Sequence, residues 1–317
     1  MQNGRPKSVL IISCLVYKTP PDGYGGIERV GAMAYETYKA HHYNVDIVSM
    51  HDSPYHTYNI QEITKEILNK YDFVICYTYE QPTLELLNQA KGPVYVILEN
   101  TFKPKLSFLT SLSHLKYYVL SHHAQAQYEK GLGERFEIIP NGVNVSNFTY
   151  LEKNRDNSVL FIGALGQHKS PLACLRYARE HELAIYFYGL TMFKDAEKEY
   201  EAQFLKEIDE YPKAFIKGEI NDKDKIEVLN NHSYFIFLPG VDKPDWVEPF
   251  GIAPLEAMSC GCTVITQFEN GGHLDFSKPG INSIPYTESP KVLNPSIIRN
   301  SVLDYDFDHI WSSYYPK

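Results

Sequence analysis

Residues 246–263 read WVEPFGIAPLEAMSCGCT and combine a loop, a short helix and the start of a strand. Pro254 suits the first turn of a helix, and Gly261 suits its C-terminal exit. Glu248 therefore lies on the loop that leads into the helix, and Glu256 lies in its first turn. Backbone N–H groups at such a helix start attract an anion, and a carboxylate accepts two hydrogen bonds from neighbouring hydroxyls. Acidic residues placed only to suit the helix dipole are the alternative that this spacing leaves open.

Outward from this segment, β-rich runs alternate with helical patterns along the chain. Strands are predicted at residues 9–16, 44–49, 72–77, 93–98, 117–121 and 137–140, and then at 158–162, 184–188, 214–217, 234–238 and 263–266. Strands separated by helices imply right-handed crossovers and parallel sheets. The pattern stops and restarts near residue 150, so the sequence predicts an α/β protein with two facing Rossmann-like domains, at residues 1–150 and 151–300. The tail at residues 301–317 contains a pattern typical of a capped terminal helix.

Length and composition indicate a globular protein of two domains. Of 317 residues, 44% are hydrophobic and 22% are charged, and the longest apolar run, at residues 8–17, is too short to span a membrane. The net charge of −9 argues against a nucleic-acid partner. Five cysteines, an odd number in a chain without an export signal, predict reduced thiols and a cytoplasmic location. Cys260 and Cys262 lack further ligands at metal spacing, so no metal site is expected.

Residues 246–263, with Val264-Ile265 and residues 269–272 after them, resemble the signature of retaining glycosyltransferases of the GT-B fold, often called family four. That signature has two glutamates separated by seven residues beside a Phe-Gly pair, then a helix of small residues and a strand. Further resemblances follow the family's order along the chain. They are the N-terminal glycine loop at residues 25–30, the interdomain turn IIPNGV at residues 138–143, the diphosphate loop at residues 163–169 and, at residues 307–315, the terminal helix that crosses back onto the first domain.

The resemblance implies a role for each residue that matches the family's motifs. Glu248 holds hydroxyls of the transferred sugar, and Glu256 holds the ribose of the nucleotide. Lys169 neutralises the departing diphosphate, the task that a metal ion performs in other transferases. Glycine in the first loop lets the backbone approach the diphosphate closely. The remaining donor contacts implied are Gly25, Gly26, His168 and the backbone amides of Phe250, Gly251 and Ile252.

Two positions depart from the family pattern. The diphosphate loop carries Ala164 where an arginine is usual, so one of two clamping cations is missing, and His168 and Arg29 are the candidate substitutes. Glu99 stands where many members place a histidine near the reacting carbon of the sugar. A carboxylate there stabilises positive charge on a glycosyl cation or orients the acceptor hydroxyl. A cap or salt bridge at the end of a strand is the alternative for Glu99.

The resemblance therefore implies a retaining glycosyltransferase that moves a hexosyl unit from a nucleotide-diphosphate sugar to an acceptor hydroxyl. Glu248, Lys169 and Glu99 are the predicted catalytic residues, and no metal and no cofactor other than the donor co-substrate is expected. The nature of the acceptor, which is a glycan, a lipid-linked molecule or a small molecule, stays open.

Other interpretations of the sequence also stay open. A basic amphipathic segment at residues 103–116 suggests peripheral membrane contact, although an ordinary packed helix explains it as well. Two alternative functions remain beside the transferase. One is a catalytically weak nucleotide-sugar-binding subunit of a transferase complex, and the other is a GT-B epimerase or phosphorylase.

Overall fold

The computed structural model describes residues 5–23 and 25–317. Residues 1–4 of the predicted first domain, and Tyr24 in the loop before the first glycine pair, lie outside the described part. The chain divides into two compact units, one formed by Met1–Gly142 with Phe307–Lys317 and the other by Val143–Asp306. The predicted boundary near residue 150 lies within the second unit.

The first unit is built on a six-stranded parallel sheet with the strand order β2-β1-β3-β4-β5-β6. Its strands are β1 (Ser8–Ile12), β2 (Asn44–Val48), β3 (Phe73–Cys76), β4 (Val94–Leu98), β5 (Leu115–Val119) and β6 (Glu137–Ile138). Its helices before residue 143 are α1 (Gly26–Ala40), α2 (Lys65–Leu68), α3 (Gln81–Leu87) and α4 (His122–Leu132). β3 is buried along its whole length, as expected for a parallel strand covered on both faces.

The second unit is also a six-stranded parallel sheet, with the order β12-β11-β10-β7-β8-β9. Its strands are β7 (Asp156–Ile162), β8 (Ala184–Tyr188), β9 (Ala214–Gly218), β10 (His232–Phe237), β11 (Thr263–Thr266) and β12 (Ser283–Pro285). Its helices are α5 (Pro171–Glu180), α6 (Lys198–Asp209), α7 (Asp222–Asn231), α8 (Ile252–Ser259) and α9 (Pro295–Asn300). The prediction of two Rossmann-like domains with parallel sheets is confirmed.

Each unit buries an apolar core of its own. Strands β1 and β4 of the first sheet contribute Leu10 and Val96, which are fully buried, and the second core contains Ile236 and Ile265, which are also fully buried. Such a strand reads as a continuous apolar run because helices cover both faces of a parallel sheet. This explains why the strands were recognisable in the sequence without strict alternation.

The C-terminal helix α10 (Phe307–Tyr314) belongs to the first unit, as the family resemblance implied. The Trp311 ring lies edge-on to Tyr38 of α1, with 5.3 Å between ring centroids, and stacks on His41 at 4.1 Å. The hydroxyl groups of Tyr77 and Tyr315 are hydrogen-bonded at 2.9 Å in the interior. Aromatic packing and a buried hydrogen bond therefore fix the end of the chain on the first unit.

Residues 103–116 do not form the single packed helix that their pattern suggested. A 3-10 helix covers Pro104–Ser111, and β5 begins at Leu115. Pairing of Leu115 with Val94 of β4 requires an extended backbone, so a helix cannot continue to residue 116. The apolar face of the segment is nevertheless buried, because Leu106 and Leu109 are each 1% exposed. Throughout the described part of the chain, no helix combines the length and the apolar character needed to cross a membrane.

Candidate functional site

The start of α8 lies at the centre of the segment that the sequence singled out. The chain reaches this helix from β10 through a loop whose last residue, Gly251, has a φ of 99°. The φ of Gly251 is one that L side chains rarely adopt, and a Cβ atom there would also lie in tight contact with ring carbons of Phe237, at 3.2 Å. The helix begins at Ile252, and the N–H groups of a first helical turn have no intrahelical acceptor. This helix start is therefore suited to an anion.

Phe250 contributes its backbone rather than its ring to this region. The ring is 2% exposed and packs against Phe276 and Tyr305, with centroids 5.3 and 6.0 Å away. The buried ring anchors the loop, so the peptide groups that follow it are held in place by the core of the second unit. Only the backbone atoms of Phe250 can serve the role that the resemblance implied.

Lys169 and Glu248 form an ion pair, and their side chains are 16% and 11% exposed. Lys169 ends a 3-10 turn (Gln167–Lys169) after β7, whereas Glu248 lies in the loop before α8. The carbonyl oxygen of Glu248 accepts a hydrogen bond from the N–H of Gly272 at 2.8 Å. Three segments that matched the family separately therefore meet: the diphosphate loop, the glutamate motif and residues 269–272.

Glu256 lies in the second turn of α8, not in the first turn as predicted, because the helix begins at Ile252 rather than nearer Pro254. Its Oε1 atom is 2.7 Å from Nζ of Lys225, and the two side chains are 4% and 6% exposed. Sequence reasoning missed Lys225. A signal existed, since Lys225 and Leu229 are four residues apart on the buried face of α7, where a lysine needs an anionic partner.

The position next to Lys169 does not supply a second cation. Burial, and after it the charge of Lys169, lower the pKa of His168 to about 4, so the imidazole is neutral at pH 7. The ring packs against Trp246, with centroids 4.8 Å apart. Arg29, the other candidate substitute, donates to the carbonyl oxygens of Gly23 and Gly25 at 3.2 and 3.4 Å. Its guanidinium therefore braces the glycine loop of the first unit.

Glu99 follows β4 in the first unit and is 8% exposed. Its Oε2 atom accepts a hydrogen bond from Nδ2 of Asn141 at 2.8 Å, and no described residue is a partner for its buried Oε1 atom. The pKa of Glu99 is raised to about 8, mainly by burial; the hydrogen bond from Asn141 opposes this rise and the charge of Glu28 adds to it. The carboxyl is therefore largely protonated at neutral pH. Its partner, Asn141, belongs to the turn that resembles the family's interdomain motif.

The glycine loop of the first unit is tightly built around Gly25 and Glu28. Gly25 has a φ of 145°, and a Cβ atom there would lie 2.9 Å from Cβ of Pro21 and 3.1 Å from Oε2 of Glu28. Gly26 is the first residue of α1. The Glu28 side chain accepts a hydrogen bond from the N–H of Tyr17 at 3.1 Å, and burial raises its pKa. Gly25 is thus required by the loop's own packing.

The cysteines and the other metal-binding residue types are the candidates for a cofactor site. All five cysteines are free, and burial raises the pKa of the Cys262 thiol to about 11. Within residues 5–23 and 25–317, no group of three or more His, Cys, Asp or Glu side chains has a geometry that could hold a metal ion.

A family model describes the second unit. Residues 145–299 match the model of glycosyl transferases group 1. This is the family that the glutamate motif and its neighbours resemble. The comparison with curated proteins finds no match.

Solved structures share the fold of nearly the whole chain. AviGT4, a glycosyltransferase involved in avilamycin A biosynthesis, has a TM-score of 0.72 at 17% identity over 98% of this chain and 96% of its own. A glycosyltransferase from Rickettsia africae gives 0.72 at 14% identity, over 98% and 97%. Anabaena HepE in complex with UDP and glucose gives 0.66 at 15% identity, over 98% and 94%. The chain thus has the GT-B fold of these glycosyltransferases.

Proposed function

We propose that this protein is a retaining glycosyltransferase that moves a hexosyl unit from a nucleotide-diphosphate sugar to an acceptor hydroxyl. The observation that carries the proposal is the ion pair between Lys169 and Glu248, in which Glu248 belongs to the loop that leads into α8. In the proposed reaction Lys169 neutralises the departing diphosphate, and Glu248 accepts hydrogen bonds from hydroxyls of the transferred sugar. The lysine and the helix-start amides do the electrostatic work of a metal ion, so the reaction is proposed to be metal-independent.

The donor is proposed to bind to the second unit. Glu256 accepts hydrogen bonds from the ribose, and the amides from Phe250 to Ile252 face the phosphates or the sugar. HepE was crystallised with UDP and glucose, which supports testing uridine nucleotides first. The residue types do not identify the base or the hexose of the donor, and the binding test identifies both.

Glu99 is proposed to act on the acceptor hydroxyl. Because burial raises its pKa to about 8, it is a hydrogen-bonding neutral acid at pH 7 rather than a fixed anion. That state favours orientation of a hydroxyl over stabilisation of a glycosyl cation, which needs a carboxylate. Retention is proposed to proceed on the front face of the sugar, with the acceptor entering on the side that the diphosphate leaves.

A second candidate is a nucleotide-sugar-binding subunit with weak catalysis. It is favoured by the diphosphate loop, in which Ala164 is fully buried and the neighbouring His168 is neutral at pH 7. Lys169 is then the one cation of the clamp that the loop retains. For either function, five free thiols support a reducing, cytoplasmic location.

The proposal is tested first by ligand binding. Thermal unfolding is measured with UDP, GDP, ADP and their hexose conjugates, with and without EDTA, for wild type, Glu256→Ala and the exposed control Glu227→Ala on α7. A nucleotide at a hundred times its dissociation constant adds about 2.7 kcal/mol to the stability of the unit that binds it. We expect a shift with one base, insensitive to EDTA, lost in Glu256→Ala and kept in Glu227→Ala. No shift with any nucleotide would overturn both candidate functions.

Turnover then separates the enzyme from the binding subunit. The donor that stabilises the protein is incubated with a pool of glycan, lipid-linked and small-molecule acceptors, and released nucleoside diphosphate is measured. Release that depends on an acceptor supports the transferase, and NMR of the product at the anomeric carbon tests retention. Binding without release favours the subunit.

A further inference from the structure

We propose that Lys225 is a positioning residue for the donor nucleotide, which holds the Glu256 carboxylate in the orientation that accepts the ribose hydroxyls. The inference rests on the proposed role of Glu256 and adds to it a residue on a different helix. Lys225 acts through Glu256 and does not itself contact the ribose.

The lysine is held from several sides. Its Nζ atom is 2.7 Å from Oε1 of Glu256 and 3.0 Å from Oδ1 of Asp222, and it lies 5.2 Å from the ring centroid of Phe148. Asp222 is the first residue of α7, so the ammonium group of Lys225 is bound by one carboxylate from its own helix and by one from α8. Because Lys225 engages the Oε1 atom of Glu256, we infer that the other oxygen, Oε2, is the one that accepts hydrogen bonds from a ligand.

Stability alone is a poor explanation for this pair. The side chains of Lys225 and Glu256 are only 6% and 4% exposed, so both charges lose most of their hydration on folding. Replacement of buried ion pairs by apolar residues is often neutral or stabilising, which means that such a pair contributes little net stability. A ligand-binding carboxylate, in contrast, must be held to within a fraction of an ångström, and neighbouring charged side chains do this.

The helix α7, which carries Lys225, is itself capped and packed. The side chain of Asn221 accepts a hydrogen bond from the N–H of Asp224 at 2.9 Å and caps the helix that carries Lys225. Leu229, one turn further on, is fully buried and fixes the same helix face. The ammonium is therefore placed by a capped and packed helix rather than by a mobile surface side chain.

Ribose discrimination is the property that this arrangement controls. A carboxylate held by Lys225 accepts hydrogen bonds from the 2′ and 3′ hydroxyls, and each bond to a charged group changes affinity by about 10- to 100-fold. The quantity to measure is the ratio of dissociation constants for a 2′,3′-dideoxynucleoside diphosphate and its ribose form. A residue that only stabilises the fold does not change this ratio.

The experiment is isothermal titration calorimetry of the full chain with UDP, GDP and ADP and with their 2′,3′-dideoxy forms. The variants are Lys225→Met, Lys225→Arg and Glu256→Gln, with Lys223→Met as the control because Lys223 is an exposed lysine of the same helix. We expect Lys225→Met to lose at least about tenfold of the discrimination ratio, as Glu256→Gln does. Lys225→Arg keeps the ratio within about threefold, because the charge and a donor remain, and Lys223→Met leaves it unchanged.

Further variants keep the test decisive if Lys225→Met does not fold. Lys225→Gln retains a hydrogen-bond donor without the charge and should lose most of the ratio. The double variant Lys225→Met with Glu256→Gln leaves no unpaired buried carboxylate, and its ratio should equal that of Glu256→Gln alone. A lower ratio in the double variant would show that Lys225 contacts the nucleotide directly, contrary to the inference.

The outcomes also separate this inference from the proposed function. If wild type binds none of the three nucleotides, the proposed function fails and the inference falls with it. If wild type binds a nucleotide without ribose discrimination, donor binding stands and the ribose role of Glu256 is wrong, together with that of Lys225. If wild type discriminates and Lys225→Met or Lys225→Gln discriminates equally, only the role of Lys225 is overturned.

Discussion

Buried glutamates in the two units have different partners. In the second unit, Glu248 is paired with Lys169 and Glu256 with Lys225. In the first unit, the partner of Glu99 is the neutral amide of Asn141. The same residue type therefore meets a cation in one unit and an amide in the other.

The difference has a chemical consequence. An ammonium partner favours the charged, hydrogen-bond-accepting form of a carboxylate in general, whereas burial raises the pKa of Glu99 to about 8 and gives it a proton to donate. The partner rather than the residue type decides which of the two roles a buried glutamate can have. In the proposed reaction, the paired glutamates bind the donor and the protonated one orients the acceptor.

Removing the cation from the first pair should give the largest effect. Lys169→Met leaves the departing diphosphate without its cation, so we expect kcat to fall about 10²- to 10³-fold, the usual cost of removing one group that stabilises developing charge. Initial rates of nucleoside diphosphate release measure this change. The control is Lys198→Met, since Lys198 is an exposed lysine of the same unit, paired with Asp195. Equal kcat values for wild type and Lys169→Met would remove Lys169 from the catalytic residues.

Replacing Glu99, whose partner is an amide rather than a cation, should change how stability depends on pH. Between its ordinary pKa of 4.5 and about 8, Glu99 holds a proton in the folded state that the unfolded chain releases. The free energy of unfolding of wild type therefore falls as the pH rises through this range, by up to about 4 kcal/mol. Glu99→Gln lacks this contribution. Its melting temperature should therefore rise relative to that of wild type between pH 5 and pH 8.

An exposed glutamate of the first unit provides the control for that measurement. Glu134→Gln has the same chemical change at an exposed position, and its melting curve should follow wild type at every pH. Parallel curves for wild type and Glu99→Gln would show that Glu99 is ionised in the folded protein, which would end the contrast between the two units.

The sequence predicted the parts of this molecule that depend on local pattern. Apolar runs and intervening helices predicted both parallel sheets, and Pro254 and Gly261 predicted a short helix after the loop that carries Glu248. Residues 103–116 were misjudged because pairing with β4, a contact distant in sequence, forces Leu115 into a strand. Local pattern contains no information about such a partner.

The partners of the glutamates could not be predicted from the sequence for the same reason. Lys225 and Glu256 are 31 residues apart, and Glu99 and Asn141 are 42 residues apart, so only the packed fold brings them together. The protonation states could not be predicted either. The pKa values of Glu99 and His168 are set mainly by burial, which depends on the tertiary structure.

The smallest effect should come from His168, which lies beside the Lys169–Glu248 pair without adding charge to it. Because burial lowers its pKa to about 4, His168→Gln should change the affinity for a nucleoside diphosphate by less than about threefold between pH 6 and pH 8. Calorimetric titration with UDP, GDP and ADP at three pH values in this range measures the change. An affinity loss that grows toward pH 6 would show that a histidinium replaces the missing arginine.

The pH dependence of the free energy of unfolding is an independent measure of the protonation state of His168. The unfolded chain takes up a proton near pH 6.5 that folded His168 binds only near pH 4, so wild type loses stability as the pH falls through that range. His168→Gln should lose less, and so should His232→Gln, because burial lowers the pKa of His232 to about 4 as well. His232 lies in β10 with its Nδ1 atom 2.6 Å from Oγ of Ser158, so it serves as a matched buried histidine away from the ion pair. If His168→Gln loses as much stability as wild type while His232→Gln is protected, His168 is a cation in the folded protein and the second unit has its second clamping charge after all.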